Sequence, residues 1–141
     1  MYGRGVAGFW YSTGAAGPSD SCGAQVHVTD DGKVQVSVGI IELGQGSNTV
    51  LAQIAAEGLG VNFEDVRMMP VDTDAMPESG FTAGSRSTTI PGNAICQAIL
   101  EIREILAPVA ADMLECSLDD MSFQGGKIFI KSTPNRFVNF G

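Results

Sequence analysis

KVQVSVGIIELGQGSNTVLAQIAAEGLG, residues 33–60, changes its hydrophobic pattern halfway along, and this change decides the fold. Apolar and polar residues alternate as far as Ile40, which is typical of a β-strand with one buried face. After the glycine-containing Leu43–Ser47 stretch, apolar residues recur every three or four positions from Val50 to Leu59, as they do on one face of a helix. The stretch therefore predicts a strand, a glycine turn and a helix.

The segment before this stretch adds a second strand. Residues 24–29 (AQVHVT) also alternate, and Asp30-Asp31-Gly32 separates them from the strand that follows. Two alternating runs around an Asp-Gly turn predict a β-hairpin. One face of this hairpin is expected to be apolar and to consist of Val26, Val28, Val34, Val36 and Val38.

The middle of the chain predicts a strand, a loop and a long helix. A short apolar run, Val66–Val71, is expected to form the strand, and the aperiodic Asp72–Gly84 stretch is expected to form the loop. The helix is expected to begin at Ser85 or Ser87. Its core-facing residues at helical spacing are predicted to be Ile95, Ala98, Ile99, Ile102, Leu106, Val109, Ala110 and Met113.

The two ends of the chain complete the predicted fold. Met121–Gln124 and Lys127–Ile130 flank a Gly-Gly pair and predict a second hairpin, followed by the start of another element at residues 132–141. Near the amino terminus, Gly3–Thr13 predicts a glycine-rich extended segment that ends in a loop, Gly14–Gly23. We therefore expect an α+β fold in a single domain, residues 1–141, with about five strands in a small, mostly antiparallel or mixed sheet and two helices packed on it.

Composition restricts the function further. The 141 residues are 44% hydrophobic and 17% charged, which suits one folded domain, and no apolar run reaches the length of a membrane span. The net charge of −8 disfavours nucleic acid as a partner. Three cysteines without a CxxC pair predict neither a metal site nor a disulfide framework, and they suit a reducing cytoplasm.

Catalysis by the side chains of this chain alone is not predicted. His27 is the only histidine, and it lies in an alternating strand pattern. A Ser-His-Asp or Cys-His mechanism would have to use it. We therefore predict no catalytic residue and no metal ligand within the chain.

The first candidate site is Gly44-Gln45-Gly46-Ser47, at the start of the first helix. Glycines allow a close backbone approach to a ligand, and the free N–H groups of a helix start attract anions. The Gln45 amide can donate and accept hydrogen bonds at once. The spacing matches neither a Walker loop nor GxGxxG, and by itself the stretch fits a tight strand-to-helix turn better than a ligand site.

The second candidate site is Thr82–Thr89, at the start of the long helix. Hydroxyl groups around Arg86 suit a phosphate or the polar edge of a heteroaromatic ring. The alternative is a cluster of helix-capping residues with a surface arginine. Taken together, the two helix starts are expected to converge on one anionic ligand, held by backbone dipoles in an acidic domain.

A series of motifs joins these stretches in one order. They are Asp31-Gly32-Lys33-Val34, Glu42-Leu43-Gly44-Gln45-Gly46, Gln53-Ile54-Ala55-Ala56-Glu57-Gly58-Leu59-Gly60, Asp72-Thr73, Gly84-Ser85-Arg86-Ser87-Thr88 and Gly92-Asn93-Ala94. From about Gly3 to Leu114 the chain closely resembles the molybdenum-binding large subunit of the xanthine dehydrogenase/aldehyde oxidase family. The resemblance implies that the chain is a partial molybdopterin-binding region, with a family-like core at residues 3–114 and a hairpin and truncated end at 115–141.

The resemblance also implies roles for the two candidate sites. Gln45 would hydrogen-bond the cofactor near its metal, with Gly44 and Gly46 allowing the approach and Ser47 beginning the helix. In the Ala83-Gly84 stretch, Gly84 would bring its backbone near the molybdenum ligands. The residues lining the pterin or its phosphate tail would be Ser85, Arg86 and Ser87.

The same resemblance implies an enzyme of which this chain is one part. Such enzymes hydroxylate a purine or other N-heterocycle, or an aldehyde, and the molybdenum is held by the cofactor. The pterin can be of the cytosine dinucleotide form. The family's catalytic glutamate, iron–sulfur clusters and FAD would lie on other segments or subunits, so the chain alone is expected to be inactive and to self-associate through faces that those partners cover. A non-catalytic assembly module and a phosphate or nucleotide binder remain alternatives.

Overall fold

The structure, a computed structural model, describes residues 1–14 and 20–141. The predicted loop Gly14–Gly23 therefore lies partly outside the described residues. Residues 1–11 are exposed and form neither strand nor helix, although an extended segment was expected over Gly3–Thr13.

A first sheet contains three strands, β1 (Gln25–Val28), β2 (Val34–Ser37) and β3 (Val66–Met68), with β2 in the centre. β1 runs antiparallel to β2, with Val26 opposite Val36, and this pairing confirms the predicted hairpin. β3 runs parallel to β2, so the sheet is mixed. Because parallel strands need a crossover connection, the segment between β2 and β3 has to cross one face of the sheet.

Helix α1 (Ser47–Leu59) makes that crossover, which confirms the predicted order of strand, glycine turn and helix. β3 is shorter than the predicted Val66–Val71. The N–H of Met69 still donates to the carbonyl of Val36 at 2.8 Å, but Pro70 follows and has no N–H to offer. The ladder with β2 ends there.

Helix α2 (Thr89–Leu114) packs against α1 and begins slightly later than expected, with Pro91 in its first turn. The predicted core positions Ile95 and Ile99 are buried. In the carboxyl-terminal half the prediction was wrong for two residues, because Val109 is 57% and Met113 65% exposed. The buried positions in that half are Ala110, Ala111 and Leu114.

A second sheet explains why a different face of α2 is buried in its carboxyl-terminal half. It consists of β4 (Met121–Gln124), β5 (Lys127–Ile130) and β6 (Thr133–Asn139), all antiparallel. The end of α2 packs on this second sheet through Ala110 and Ala111, whereas the beginning of α2 packs on the first sheet and α1. The buried stripe therefore moves by one residue, which is about 100° around the helix axis.

Within the described ranges, six strands form two separate sheets, where about five strands in one sheet were expected. The second hairpin and the element at residues 132–141 are both present, but periodicity does not reveal which strands pair. The larger core lies between the first sheet and the two helices. Its buried residues are Val34, Val36, Val38, Ile40, Leu51, Ala55, Ala56, Leu59, Val61, Ile95 and Ile99. No helix in the described part of the chain is long and apolar enough to cross a membrane.

Candidate functional site

The loop between β2 and α1 has a backbone that only glycine adopts readily. Gly44 has φ of 99° and Gly46 has φ of 78°, both in the left-handed region. Apart from each glycine itself and its two chain neighbours, no atom of the described residues lies within 4 Å of the point where a Cβ on either glycine would stand. The open space beside both glycines leaves the backbone of this loop accessible to a ligand.

The carboxylate of Glu42 accepts hydrogen bonds from the backbone of this loop and of the first turn of α1. Its Oε1 accepts hydrogen bonds from the N–H groups of Gly44 at 2.8 Å and Gly46 at 2.9 Å. Its Oε2 accepts from the N–H of Asn48 at 3.1 Å. The pKa of Glu42 lies below its ordinary value, chiefly because of the Asn48 N–H and then that of Gly46. The N–H groups at the start of α1 therefore donate to a carboxylate of the same chain. The sequence had suggested that they bind an anionic ligand.

Gln45 lies in the same loop, and both the nitrogen and the oxygen of its side-chain amide are hydrogen-bonded. Its Nε2 donates to the carbonyl of Ile41 at 2.9 Å and to Oγ of Ser47 at 3.1 Å. Its Oε1 accepts from the N–H of Leu43 at 2.5 Å. Gln45 is exposed and Ser47 is buried. The loop thus presents an oriented amide at the surface.

The loop before α2 also depends on a close backbone contact. Gly84 (φ 59°) and Ser85 (φ 55°) are both left-handed, and Ser85 is exposed. The N–H of Gly14 donates to the carbonyl of Gly84 at 2.6 Å. A Cβ on Gly84 would stand 2.7 Å from the carbonyl oxygen of Gly14, so a larger residue does not fit. Left-handed non-glycine residues such as Ser85 cluster at ligand sites.

Arg86 is the most buried charged residue of this region, and it is not the surface arginine of the alternative interpretation. Its side chain is 1% exposed. The guanidinium donates to Oδ1 of Asp20 at 2.6 Å and to the carbonyls of Ser79 (2.8 Å), Phe81 (2.8 Å) and Ser21 (2.9 Å). Arg86 therefore joins three segments behind the loop, and its hydrogen-bonding groups face the interior.

The two loops meet at one cavity. The N–H of Ile41 donates to Oγ1 of Thr82 at 3.0 Å and links the first loop to the second. The cavity between them has a volume of about 420 Å³. Its lining residues are Leu43, Gln45, Thr82, Ala83, Gly84, Ser85, Ser87 and Thr88.

Five of the residues singled out by sequence thus line one cavity, namely Gln45, Ala83, Gly84, Ser85 and Ser87. The other four predicted site residues do not line the cavity and instead support the two loops, namely Gly44, Gly46, Ser47 and Arg86. No individual role was predicted for the other three lining residues, Leu43, Thr82 and Thr88. The two threonines belong to the hydroxyl-rich stretch already quoted, and that enrichment was the available signal.

The chemistry of the lining fits a polar heterocycle. All eight lining residues are uncharged, and their side chains offer one amide and four hydroxyl groups. A pterin ring presents alternating donors and acceptors, which groups of this kind can match. Among the described residues no group of three His, Cys, Asp or Glu side chains is placed to hold a metal ion. Fold and cavity together define an α+β domain in which two glycine-containing loops enclose one polar cavity of ligand size.

Comparison with known proteins gives the particular family. The molybdopterin cofactor-binding domain family matches residues 1–141. The chain is 37% identical over 108 residues to the 6-hydroxypseudooxynicotine dehydrogenase complex subunit gamma of Paenarthrobacter nicotinovorans, covering 77% of this chain and 14% of that protein. It is 32% identical to the carbon monoxide dehydrogenase large chain of Afipia carboxidovorans, covering 97% of this chain and 18% of the relative.

A solved structure agrees. Quinoline 2-oxidoreductase from Pseudomonas putida 86 superposes with a TM-score of 0.78 at 29% identity, covering 84% of this chain and 15% of that one. The chain therefore belongs to the molybdopterin cofactor-binding domain family, which is found in the large subunits of molybdenum hydroxylases. It spans less than a fifth of the length of these relatives.

Proposed function

We propose that the cavity between the Gln45 loop and the Ala83–Ser87 loop is this chain's contact with a molybdopterin-type molybdenum cofactor. Gln45 would hydrogen-bond the cofactor near its metal, and Ser85 and Ser87 would bond the pterin. Gly44, Gly46 and Gly84 would allow its close approach. Ser47 and Arg86 would hold the two loops in position from behind.

One observation carries this proposal. Two loops that are far apart in sequence meet at one cavity of about 420 Å³ with an uncharged lining, and both loops lie within the residues that the family matches. Volumes of 300–1,000 Å³ are usual for cofactor sites. Because the lining offers hydrogen bonds without charge, it suits the ring system better than the phosphate tail.

The proposed cofactor implies a hydroxylation reaction. When bound, the cofactor would supply the redox chemistry for hydroxylating a purine or other N-heterocycle, or an aldehyde, with oxygen from water. This chain would contribute position and hydrogen bonds only. The catalytic base, the iron–sulfur clusters and the FAD would come from other segments or subunits in a cytoplasmic assembly, and the chain alone would be inactive.

The experiment is a binding comparison of two glutamine variants. Gln45→Ala removes an amide that lines the cavity, whereas Gln53→Ala removes an exposed amide on α1 outside it. The full chain is titrated with isolated molybdopterin, and the dissociation constant is measured. We expect Gln45→Ala to weaken binding about tenfold, the equivalent of one good hydrogen bond, and Gln53→Ala to leave it unchanged. Equal affinities for both variants and wild type would refute the proposed contact.

The alternative of a phosphate or nucleotide binder is tested in the same titration. The start of α1 donates to Glu42, and no cationic side chain of the described residues lines the cavity, so an anion gains little there. Pyrophosphate and ATP are therefore expected to release no heat of binding. Saturable binding of either, without binding of molybdopterin, would establish that alternative. Binding of none of the three would favour the non-catalytic assembly module.

A further inference from the structure

We propose that Glu42 is a positioning residue, which holds the Gln45 amide in place for the cofactor by fixing the backbone on both sides of Gln45. This inference rests on the proposed function, because it concerns the residue that would contact the cofactor. It assigns Glu42 a role through Gln45, and no direct contact with substrate or cofactor.

The hydrogen bonds of Glu42 surround Gln45 in sequence. A single oxygen, Oε1, accepts from the N–H groups immediately before and after it, those of Gly44 and Gly46. The other oxygen, Oε2, accepts from Asn48 in the first turn of α1. One carboxylate therefore joins the loop backbone to the helix start.

The loop needs such a constraint because of its composition. Gly44 and Gly46 both have left-handed φ values, and glycine in a free loop samples many other conformations. A displacement of either glycine would redirect the side chain between them. The three N–H bonds to Glu42 select one backbone conformation and so one direction for Gln45.

Ser47 connects the carboxylate to the amide directly. Its hydroxyl lies 3.1 Å from Nε2 of Gln45 and 3.4 Å from Oε2 of Glu42. Ser47 is buried, so water does not replace these contacts readily. The amide of Gln45 is thus linked to Glu42 both through the backbone and through a side chain.

Glu42 is not placed to act as a ligand or base at the cavity. Both of its oxygens face donors of the loop and of α1, and Glu42 is not among the lining residues. The same N–H bonds lower its pKa, so it stays charged at neutral pH. A carboxylate that is charged at neutral pH and accepts three backbone hydrogen bonds suits a structural support for Gln45.

The test is a double-mutant cycle in the full chain, with molybdopterin binding as one readout. The variants are Glu42→Gln, Gln45→Ala and their combination. Glu57→Gln, on the exposed face of α1, is the charge-matched control. If Glu42 acts through Gln45, each single variant weakens binding about tenfold and the double variant weakens it no further than Gln45→Ala. Additive losses in the double variant would overturn the inference.

A second readout does not involve the cofactor. In ¹⁵N-labelled chain, the side-chain amide resonances of Gln45 and the backbone amides of Gly44 and Gly46 are recorded by NMR. Glu42→Gln is expected to shift all of them and to speed their hydrogen exchange, while Glu57→Gln leaves them unchanged. Unaltered Gln45 side-chain resonances in Glu42→Gln would overturn the inference, even if binding falls.

The two readouts separate this inference from the proposed function. If wild type fails to bind molybdopterin but the Gln45 resonances respond to Glu42→Gln, the function is wrong and the positioning role holds. Glu42→Asp covers the case in which Glu42→Gln does not fold, because it keeps the charge but shortens the reach. The affinity of Glu42→Asp is expected to lie between those of wild type and Gln45→Ala, and its Gln45, Gly44 and Gly46 amide resonances are expected to move from their wild-type positions. Wild-type values for both would contradict the inference.

Discussion

The contact between Gly84 and Gly14 shows how a single residue shapes the cavity wall. Gly84 combines a left-handed φ with a Cβ position 2.7 Å from the Gly14 carbonyl oxygen. Gly84→Ala is therefore expected to lower the free energy of unfolding by about 1–3 kcal/mol, through backbone strain and a steric clash. Urea unfolding followed by circular dichroism measures the change.

Gly5→Ala is the matched control for this prediction. Gly5 has no positive φ, and apart from its two chain neighbours no described residue lies within 4 Å of its Cβ position. Its substitution is expected to leave stability unchanged. A Gly84→Ala variant as stable as Gly5→Ala would show that the close backbone contact is absent in solution.

A second residue-scale prediction concerns pH and Glu42. The folded-state pKa of Glu42 lies below its ordinary value of 4.5, because backbone N–H groups stabilise its charged form. The stability it contributes is therefore present above pH 4.5 and is lost as the pH falls through the lower folded pKa. Unfolding by urea is compared at pH 7 and at an acidic pH below the folded pKa of Glu42, and Glu42→Gln is expected to be less stable than wild type at the higher pH only.

Glu57→Gln is the control for the pH experiment, because it removes the same charge from the same helix outside the loop. Its difference from wild type is expected to be small at both values of pH. A stability gap between Glu42→Gln and wild type that persists undiminished well below the folded pKa would contradict the assignment of the loss to the Glu42 carboxylate.

At the residue scale, the sequence predicted the parts of the site but not how they are used. Gln45 and Ser85 were identified from their places beside glycines at helix starts. The interior direction of Arg86 was not predictable, because its partners Asp20 and Ser21 lie about sixty-five positions away in the chain. Only the folded backbone brings a carboxylate and three carbonyl groups around that guanidinium.

At the scale of elements, helix α2 has two buried faces. Its first half packs on α1 and the first sheet through Ile95 and Ile99, and its second half packs on the second sheet through Ala110. A single helical stripe describes only one of these surfaces. The sequence therefore predicted the helix and its contact with the first core. It did not predict which residues of α2 face the second sheet.

Two substitutions on α2 test this division. Ile99 is 2% exposed, and Ile99→Ala is expected to lower the free energy of unfolding by about 2–5 kcal/mol, because it leaves a cavity in the main core. Met113 is 65% exposed, and Met113→Ala is expected to change stability by less than about 0.5 kcal/mol. Thermal and urea unfolding of both variants provide the measurement. Similar losses in the two would place Met113 in the core after all.

At the scale of the whole molecule, the described residues leave a large apolar surface uncovered. Ile105, Val109 and Met113 lie four residues apart on one face of α2 and are each more than half exposed. Phe9 and Trp10 are also exposed. A row of exposed apolar side chains on one helix face is typical of an interaction surface, and the chain spans less than a fifth of its relatives' length.

Self-association of the isolated chain is the prediction at this scale. At about 0.15 M salt, repulsion between molecules of charge −8 is screened beyond roughly 8 Å, so apolar contacts can form. Sedimentation velocity is expected to show a mass that rises with concentration. Val109→Lys combined with Met113→Lys is expected to reduce this rise, whereas Val71→Lys, at another exposed position, is not. Concentration-independent monomers in wild type would disprove the prediction.

The sequence by itself determined the local order of the chain and the parts of its site. Alternation and helical spacing encode which residues face a core, and glycines mark where the backbone must turn. The partition of strands into two sheets, the turn of α2 toward the second sheet and the inward direction of Arg86 were decided only by the tertiary structure. These features depend on contacts between distant segments, and no local pattern records such contacts. The Gln45 cavity lies between these cases, because local motifs supply its two loops and only the fold brings them together.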